Sequence, residues 1–293
     1  MWKRIHLVAP HLIDHLLAPL VAHGFHPPAL QTGHGIVLDK PGKPSYNSPS
    51  SFCAIVLLQS CSKILESIMN SRLSCVARVA GLLNSHQCGS LHGLSPADPT
   101  TLTREIRTLQ MAGGKVSTLF LDIKGGFDNV NPATLRNMLK AKGVNPYLVS
   151  WTRSFLTGRS CQLLYQGSPK IFAPVSVGTP QGSQVSPLLF IIHVSRLHCE
   201  IRQGLTLSYV DGLGLTASST SYCRNIQSLQ RYYAVLKARG APLGVSCSFT
   251  KRELIHWRNN TVGALSPAPR STWIGLSFPL TTRSGGWDTG SPP

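Results

Sequence analysis

The sequence predicts an α+β fold, in which helices and antiparallel strands do not alternate in regular βαβ units. Asparagine–proline pairs followed by a glycine mark helices whose start and end are both specified. Between these helices lie short apolar runs, and two of them flank an Asp-Gly pair, which is typical of a hairpin. With 293 residues, 42% of them hydrophobic, the chain can bury a sizeable core in one or two domains.

The first 24 residues begin with basic side chains, as a signal peptide does. Their apolar run is interrupted by Pro10, Asp14 and four histidines. We therefore predict an amphipathic helix of the globular fold at this position.

Four further helices are predicted from residues that start and stop helices. An N-cap side chain accepts first-turn amides, proline fits the first helical position, and glycine ends the helix. The four predicted helices run from Asn131-Pro132 to Gly143, from Asn145-Pro146 to Gly158, from Ser186-Pro187 to Gly204, and from position 220 to Gly240. The predicted strands are 116–122, 161–167, 205–210, 213–217 and 253–257. Residues 259–270 are predicted to be a linker because proline, serine and glycine interrupt any periodicity.

The charge balance is strongly basic, with 28 Lys and Arg against 11 Asp and Glu and a net charge of +17. Such a surplus predicts a polyanionic partner, either nucleic acid or an anionic membrane surface. A generic basic surface is the alternative, and we favour nucleic acid. No uninterrupted apolar stretch reaches the ~18 residues that a membrane span needs, so we expect no membrane partner.

The eight cysteines never form a CxxC pair or a similar cluster. They are distributed through apolar segments, which is typical of reduced core residues rather than of a disulfide or zinc framework. We expect an intracellular protein without a disulfide partner, in either the nucleus or the cytoplasm.

Three elements carry potential chemistry. The first is Asp122 at the end of an apolar strand, where a carboxylate is either a cap or a ligand for a hard cation such as Mg²⁺. The second is Asp211 before Gly212, which is either a tight turn or a carboxylate facing Asp122 across a metal site. The third is the loop GTPQGSQVSP (178–187), which is either a connector or a surface where Gln181 approaches a nucleotide.

In this order and spacing the three elements resemble motifs A, B and C of reverse transcriptases, especially those of non-LTR, LINE-like retrotransposons. Further similar segments are the fingers segment (36–73), the segment before motif A (86–99), motif D (246–257) and the Trp-x-Gly segment (271–278). The resemblance implies a right-hand polymerase fold with fingers and palm and an absent or truncated thumb. The implied parts are fingers at 1–115 and 130–175, palm at 116–129 and 176–258, a linker at 259–270 and a truncated thumb connection at 271–293.

The resemblance also implies catalytic residues. Asp122 and Asp211 match the two carboxylates that hold a pair of Mg²⁺ (or Mn²⁺) ions, which activate a primer 3′-hydroxyl and neutralise the leaving pyrophosphate. Lys251 matches the motif D lysine, a proton donor to the leaving group. The implied partners are an RNA template and a DNA primer.

Binding of the dNTP substrate is implied for a second set of residues. Phe127 matches the aromatic gate below the deoxyribose, and Gln181 matches the motif B contact to the incoming nucleotide. Tyr209 matches the residue beneath the primer end. Lys40 and Lys43 match the basic fingers segment over the triphosphate.

The sequence departs from the family pattern at several of these motifs. Gly212 stands where motif C has a second aspartate, which removes a negative charge from a site for two divalent cations. Cys53 stands where an arginine would contact phosphate, and Gln184 replaces a small residue or proline in motif B. We therefore expect an RNA-directed DNA polymerase domain with impaired catalysis. An inactive nucleic-acid-binding remnant and a translated pseudogene without a stable product are the alternatives.

Overall fold

The computed structural model describes residues 10–84, 86–89, 99–165, 168–198, 204–248, 251–257 and 284–285. Its helices are α1 (Pro10–His23), α2 (Ser60–Val79), α3 (Pro99–Met111), α4 (Pro132–Ala141), α5 (Pro146–Leu156), α6 (Ser186–Val194) and α7 (Tyr222–Gly240). Its strands are β1 (Thr32–Asp39), β2 (Phe52–Leu57), β3 (Gln87–Cys88), β4 (Lys115–Asp122), β5 (Arg159–Tyr165), β6 (Ser168–Val175), β7 (Gly204–Tyr209), β8 (Gly212–Ser219), β9 (Glu253–Trp257) and β10 (Ser284–Gly285). This mixture of helices and largely antiparallel sheets confirms the α+β prediction. The predicted linker, most of the segments at 86–99 and 271–293, and residues 1–9 lie outside the described residues.

The chain divides into two compact units. Unit 1 comprises residues 1–83 and 125–193, and unit 2 comprises residues 84–124 and 194–293. Of the predicted site residues, Asp122, Asp211 and Lys251 belong to unit 2, and Phe127 and Gln181 belong to unit 1.

Unit 1 contains a four-stranded sheet in the order β2-β1-β5-β6. Strand β1 is antiparallel to β2 and parallel to β5, and β5 is antiparallel to β6. Its helices supply large buried side chains, among them Met69, Trp151 and Phe190. Trp151 stacks on Phe155 at 5.0 Å between ring centroids, and the ring of His26 meets both aromatic rings edge-on. Burial in this cluster lowers the pKa of His26 to about 4.

Local start and stop signals explain α4 and α5. Asn131 Oδ1 accepts hydrogen bonds from two first-turn amides at 2.9 and 3.1 Å, and Asn145 Oδ1 accepts one at 3.2 Å. Gly143 and Gly158 both have a φ of 69°, the left-handed conformation that ends a helix. These two helix predictions are confirmed.

Helix α6 is shorter than predicted. It ends at Val194, and residues Ser195–Leu197 form a 3₁₀ turn instead of continuing to Gly204. A tertiary contact stabilises this departure, because the guanidinium of Arg239 donates a hydrogen bond to the carbonyl of His198. The prediction of one helix from 186 to 204 is therefore wrong, since the apolar pattern carries no sign of that distant arginine.

The predicted N-terminal amphipathic helix is observed as α1. It buries Leu17 and Val21 and exposes Leu12 and Leu16. No helix in the described part of the chain is long and apolar enough to cross a membrane.

Unit 2 contains a six-stranded sheet in the order β10-β9-β4-β8-β7-β3. The four central strands are antiparallel to one another, and the two edge strands run parallel to their neighbours. Helix α7 packs on β8 and β4 and contributes Leu229 and Leu236 to a core that also contains Leu119, Leu215 and Leu254. Strand β4 is paired on both sides over residues 116–120, and its last residue, Asp122, pairs with Gly212 of β8.

The cysteines are only partly where the sequence predicts them. The structure describes the side chains of six of the eight, and all six are free thiols. Cys161 is buried, whereas Cys75 and Cys223 are exposed on helix surfaces. The expectation of a core position is therefore wrong for those two, because an apolar neighbourhood in sequence does not say which face of a helix is buried.

Candidate active site

The end of β4 and the β7–β8 hairpin bring Asp122 and Asp211 to neighbouring backbone positions in unit 2. Asp122 lies opposite Gly212 in the strand register. The backbone amide of Ile123 donates to the carbonyl of Asp211 at 2.9 Å. The side chain of Asp122 is 26% exposed, and Asp211 is half-buried. Both carboxylates therefore combine a fixed backbone with access to solvent.

The hairpin is present, but its turn is shifted by one residue from the prediction. Tyr209 pairs with Gly212, so Val210 and Asp211 are the two turn residues. Val210 has a φ of 51°, as at the first position of a type II′ turn, although β-branched residues rarely adopt this conformation. The expectation that Asp211 and Gly212 form the turn is wrong, because the register with β4 places Gly212 in the ladder.

Gly212 occupies a position that can accept a larger side chain. A Cβ at this position would meet only the carbonyl oxygen of Tyr209, at 3.4 Å, which is ordinary van der Waals contact. Directly opposed residues of antiparallel strands carry their Cβ atoms about 4.5–5.5 Å apart on one face. The Cβ of a residue introduced at position 212 would therefore fit on the same face as Asp122 without a steric conflict.

Lys251 neutralises one of the two aspartates. Its Nζ lies 2.9 Å from Oδ2 of Asp122, and its side chain is 66% exposed. Exposed ion pairs contribute only about 0–1 kcal/mol, so another cation can displace this ammonium group. Asp122 of the predicted motif A and Lys251 of the predicted motif D thus form a close ion pair that another cation can replace.

The segment before Lys251 extends the ladder past the end of β4. Ser248 donates its backbone amide to the carbonyl of Asp122 at 2.7 Å, and Lys124 donates its amide to the carbonyl of Ser246 at 2.8 Å. An isolated bridge joins Ile123 to Cys247. These bonds fix the backbone on both sides of Asp122.

Phe127 and Gln181 come together in unit 1. The backbone amide of Thr179 donates to the carbonyl of Phe127 at 2.7 Å. Gln181 Nε2 donates to Oδ1 of Asp128 at 3.1 Å, and its Oε1 accepts a long contact from the Cys53 thiol at 3.7 Å. The Gln181 amide is therefore held between residues from the predicted motif A region and the predicted fingers segment.

A cavity of about 240 Å³ lies beside Gln181 and is lined in part by Ala54, Asp128 and Arg159. The Arg159 guanidinium donates to backbone carbonyls, including that of Gly178 at 2.6 Å. Burial lowers the pKa of Arg159 to about 10. Sequence reasoning missed this arginine because its partners are carbonyl oxygens, which no sequence pattern marks.

The remaining predicted residues are exposed. Lys40 and Lys43 lie in the connection between β1 and β2, where Tyr46 donates its hydroxyl to the Lys40 carbonyl at 2.9 Å. Tyr209, at the end of β7, is 51% exposed. Its ring therefore remains available for contact with a ligand.

The donor set at Asp122 and Asp211 can be compared with what a divalent cation needs. In the described part of the chain, no three His, Cys, Asp or Glu side chains converge on one point. Mg²⁺ is commonly held by one or two carboxylates and completes its shell with water and substrate phosphates. The two aspartates fit this substrate-assisted mode of binding rather than a closed protein cage.

Comparison with known proteins gives the family. A model of the reverse transcriptase (RNA-dependent DNA polymerase) family matches residues 39–278. The chain therefore belongs to the reverse transcriptase family, as its motifs predict. It is 30% identical over 213 residues to the probable RNA-directed DNA polymerase from transposon BS of Drosophila melanogaster, covering 69% of this chain and 23% of that protein. It is 29% identical over 223 residues to the RNA-directed DNA polymerase from mobile element jockey of the same species, covering 71% and 24%.

Solved structures agree on the fold. Apo telomerase from Candida tropicalis, truncated from its C-terminal domain, superposes with a TM-score of 0.56 at 11% identity, covering 85% of this chain and 53% of that one. This similarity confirms the predicted right-hand polymerase fold. The chain spans about a quarter of the length of the curated relatives it matches.

Proposed function

We propose that this chain is the fingers-and-palm region of a reverse transcriptase, which adds a dNTP to a DNA primer on an RNA template. The observation that carries the proposal is the placement of Asp122 beside the Asp211 hairpin tip in a chain of this family. We assign fingers to 1–115 and 130–175 and palm to 116–129 and 176–258. Residues 259–270 are assigned as a linker, and 271–293 as the connection towards a thumb.

Asp122 and Asp211 would hold Mg²⁺ or Mn²⁺ in this proposal. When bound, such ions lower the pKa of the primer 3′-hydroxyl and neutralise the leaving pyrophosphate. Lys251, once displaced from Asp122, presents its ammonium group within the same strand-end region. Its Nζ proton can pass to the pyrophosphate oxygen as that group leaves.

The nucleotide-binding roles are assigned to five further residues. Gln181 offers its amide to the incoming dNTP, and Phe127 lies under the deoxyribose, where a 2′-hydroxyl would clash. Tyr209 supports the primer end with its exposed ring. Lys40 and Lys43 lie on the exposed β1–β2 connection, where they attract the triphosphate.

A second candidate function is an inactive nucleic-acid-binding remnant. Gly212 and Cys53 favour it, because one lacks a carboxylate and the other lacks a guanidinium. Loss of groups that merely support metal ligands costs about 10–100-fold in metal affinity or activity, so loss of a ligand costs at least as much.

Primer extension on poly(rA)·oligo(dT) with dTTP tests the first candidate. We expect no detectable product or very little with Mg²⁺ and a trace with Mn²⁺, which tolerates the same oxygen ligands. Gly212→Asp should raise the rate by about tenfold or more, because it restores a charge that Asp122 faces directly. The gain should be partial, since Cys53 still leaves the nucleotide without a guanidinium contact.

Asp122→Asn combined with Gly212→Asp is the control, and it should abolish the gain. Full-strength Mg²⁺-dependent synthesis by the unmodified chain would contradict the impairment. A folded Gly212→Asp chain that binds RNA but gains no activity would favour the inactive remnant.

A further inference from the structure

Glu66 of α2 is a fully buried carboxylate to which neither the predicted site nor the proposed mechanism gives a role. The hydroxyl of Ser62 donates to its Oε1 at 2.6 Å, and the hydroxyl of Ser183 donates to its Oε2. The backbone amide of Gln184 also bonds to the carboxylate. Two of these three donors belong to the loop that carries Gln181.

A carboxylate is an expensive side chain to place at this position. Removing an ion from water costs several kcal/mol, and hydrogen bonds must offset that cost. Burial raises the pKa of Glu66 despite its hydrogen bonds and the attraction of Lys63. A hydrophobic residue of similar volume often stabilises such a position better. Core packing alone therefore does not account for Glu66.

Other contacts hold the first residues of the loop, through its backbone and through the side chains of Thr179 and Gln181. Val56 donates its amide to the carbonyl of Gln181 at 2.6 Å, and Thr179 donates its amide to the carbonyl of Phe127 at 2.7 Å. Gly182 has a φ of 123°, and a Cβ there would lie 2.5 Å from the Val56 carbonyl oxygen. These contacts lie on the N-terminal half of the loop. Glu66 holds the C-terminal half, immediately after Gln181.

We propose that Glu66 is a positioning residue that anchors loop 178–185 from beneath and so sets where Gln181 presents its amide. The anchoring itself depends only on the contacts of unit 1. Its consequence for nucleotide binding rests on the proposed polymerase function.

Two serine variants of the 293-residue chain distinguish anchoring of the loop from the mere loss of a hydrogen-bond donor to the buried carboxylate. Ser183→Ala removes the donor that comes from the loop, and Ser62→Ala removes an equivalent donor to the same carboxylate from within α2. Amide hydrogen exchange at positions 183 and 184 reports on loop opening. The Val185 amide is left out of the comparison because it donates to Ser183 Oγ itself, at 3.2 Å. Leaving a buried hydrogen-bond acceptor unsatisfied costs about 1–3 kcal/mol, so Ser183→Ala should accelerate this exchange by about tenfold.

The matched control decides the interpretation. Ser62→Ala should accelerate loop exchange much less than Ser183→Ala, although it deprives Glu66 of the same kind of donor. Equal acceleration in both variants, or none in Ser183→Ala, would overturn the anchor. The direct test, Glu66→Gln, changes a fully buried group, and that variant can fail to fold. Each serine change keeps Glu66 and removes only a single hydroxyl, so the test does not depend on Glu66→Gln.

The nucleotide readout uses the Gly212→Asp background with Mn²⁺. There Ser183→Ala should raise the apparent KM for dTTP several-fold while kcat changes less, because Gln181 contacts the nucleotide rather than the reacting atoms. Ser62→Ala should leave this KM near its starting value, and an equal rise would count against positioning. If no variant extends a primer, the polymerase proposal fails, whereas hydrogen exchange still decides whether Glu66 anchors the loop.

Discussion

Acidic residues are scarce in this chain, with 11 among 293, and several have specific partners. Asp122 pairs with Lys251. Asp128 accepts a hydrogen bond from the amide of Gln181, and Glu66 accepts one from Ser183 in the same loop. Each of these carboxylates has a chemically distinct environment. Asp122 is accessible and paired with a cation, which suits exchange of one cation for another, whereas Glu66 is buried and suits a fixed contact.

Replacement of Lys251 tests this exchange of cations. Lys251→Gln should increase the affinity for Mn²⁺ by about two- to fivefold, because the ammonium group no longer competes for Asp122 and an exposed pair contributes up to about 1 kcal/mol. The same change should lower the extension rate of the Gly212→Asp chain, because it removes the proposed proton donor to the leaving pyrophosphate. Electron paramagnetic resonance titration of Mn²⁺ measures the first effect.

Lys237→Gln, on the exposed face of α7, is the matched control for charge. It should change neither Mn²⁺ affinity nor extension rate. A Lys251→Gln chain with unaltered Mn²⁺ affinity would show that the ammonium group does not compete with metal at Asp122.

At the scale of elements, the accuracy of the sequence predictions follows the range of the interactions involved. Helices α4 and α5 are specified by side chains within one turn of their ends, such as Asn131 and Asn145, so their limits are predictable. After the end of α6, the carbonyl of His198 accepts a hydrogen bond from Arg239, about forty residues away in the chain. The turn of the β7–β8 hairpin depends on the register with β4, which overrides the preference of Asp-Gly for turn positions.

The strained turn makes a prediction about stability. Val210 adopts a left-handed φ that costs a residue with a Cβ about 1–2 kcal/mol, and glycine avoids that cost. Val210→Gly should therefore be more stable than Val210→Ala by about 1 kcal/mol, as measured by urea unfolding. Both variants lose the valine side chain, so their difference isolates the backbone. In a regular strand the alanine variant is the more stable of the two. If Val210→Ala were more stable than Val210→Gly here, residue 210 would not have a left-handed conformation.

At the scale of the whole molecule, the sequence identifies the motifs better than the residues that support them. Asp122, Asp211, Phe127 and Gln181 are predicted because family motifs mark them. Glu66 is missed because its partner Ser183 lies 117 positions further along the chain. Such contacts exist only after folding, and each residue alone is unremarkable in the sequence.

The net charge of +17 makes the last prediction, which concerns nucleic-acid binding by the intact chain. Binding that neutralises phosphates releases counterions, so the affinity for single-stranded RNA should fall steeply between about 50 and 200 mM salt. Each lost phosphate contact reduces the slope of log K against log salt by about 0.7 for a single strand. Reversing both Lys40 and Lys43 to Glu should therefore weaken binding and flatten the slope by about one to two.

The matched comparison is reversal of Arg224 and Arg231 to Glu, on exposed positions of α7, which changes the net charge by the same amount. If the fingers assignment is right, this second variant lowers affinity less, because only long-range attraction is lost and salt screens it beyond about 10 Å. Fluorescence anisotropy of a labelled RNA across a salt series measures both slopes. Equal slopes for the two variants would assign RNA binding to net charge rather than to the β1–β2 connection. A slope near zero for the unmodified chain would mean that its basic surface serves a partner other than nucleic acid.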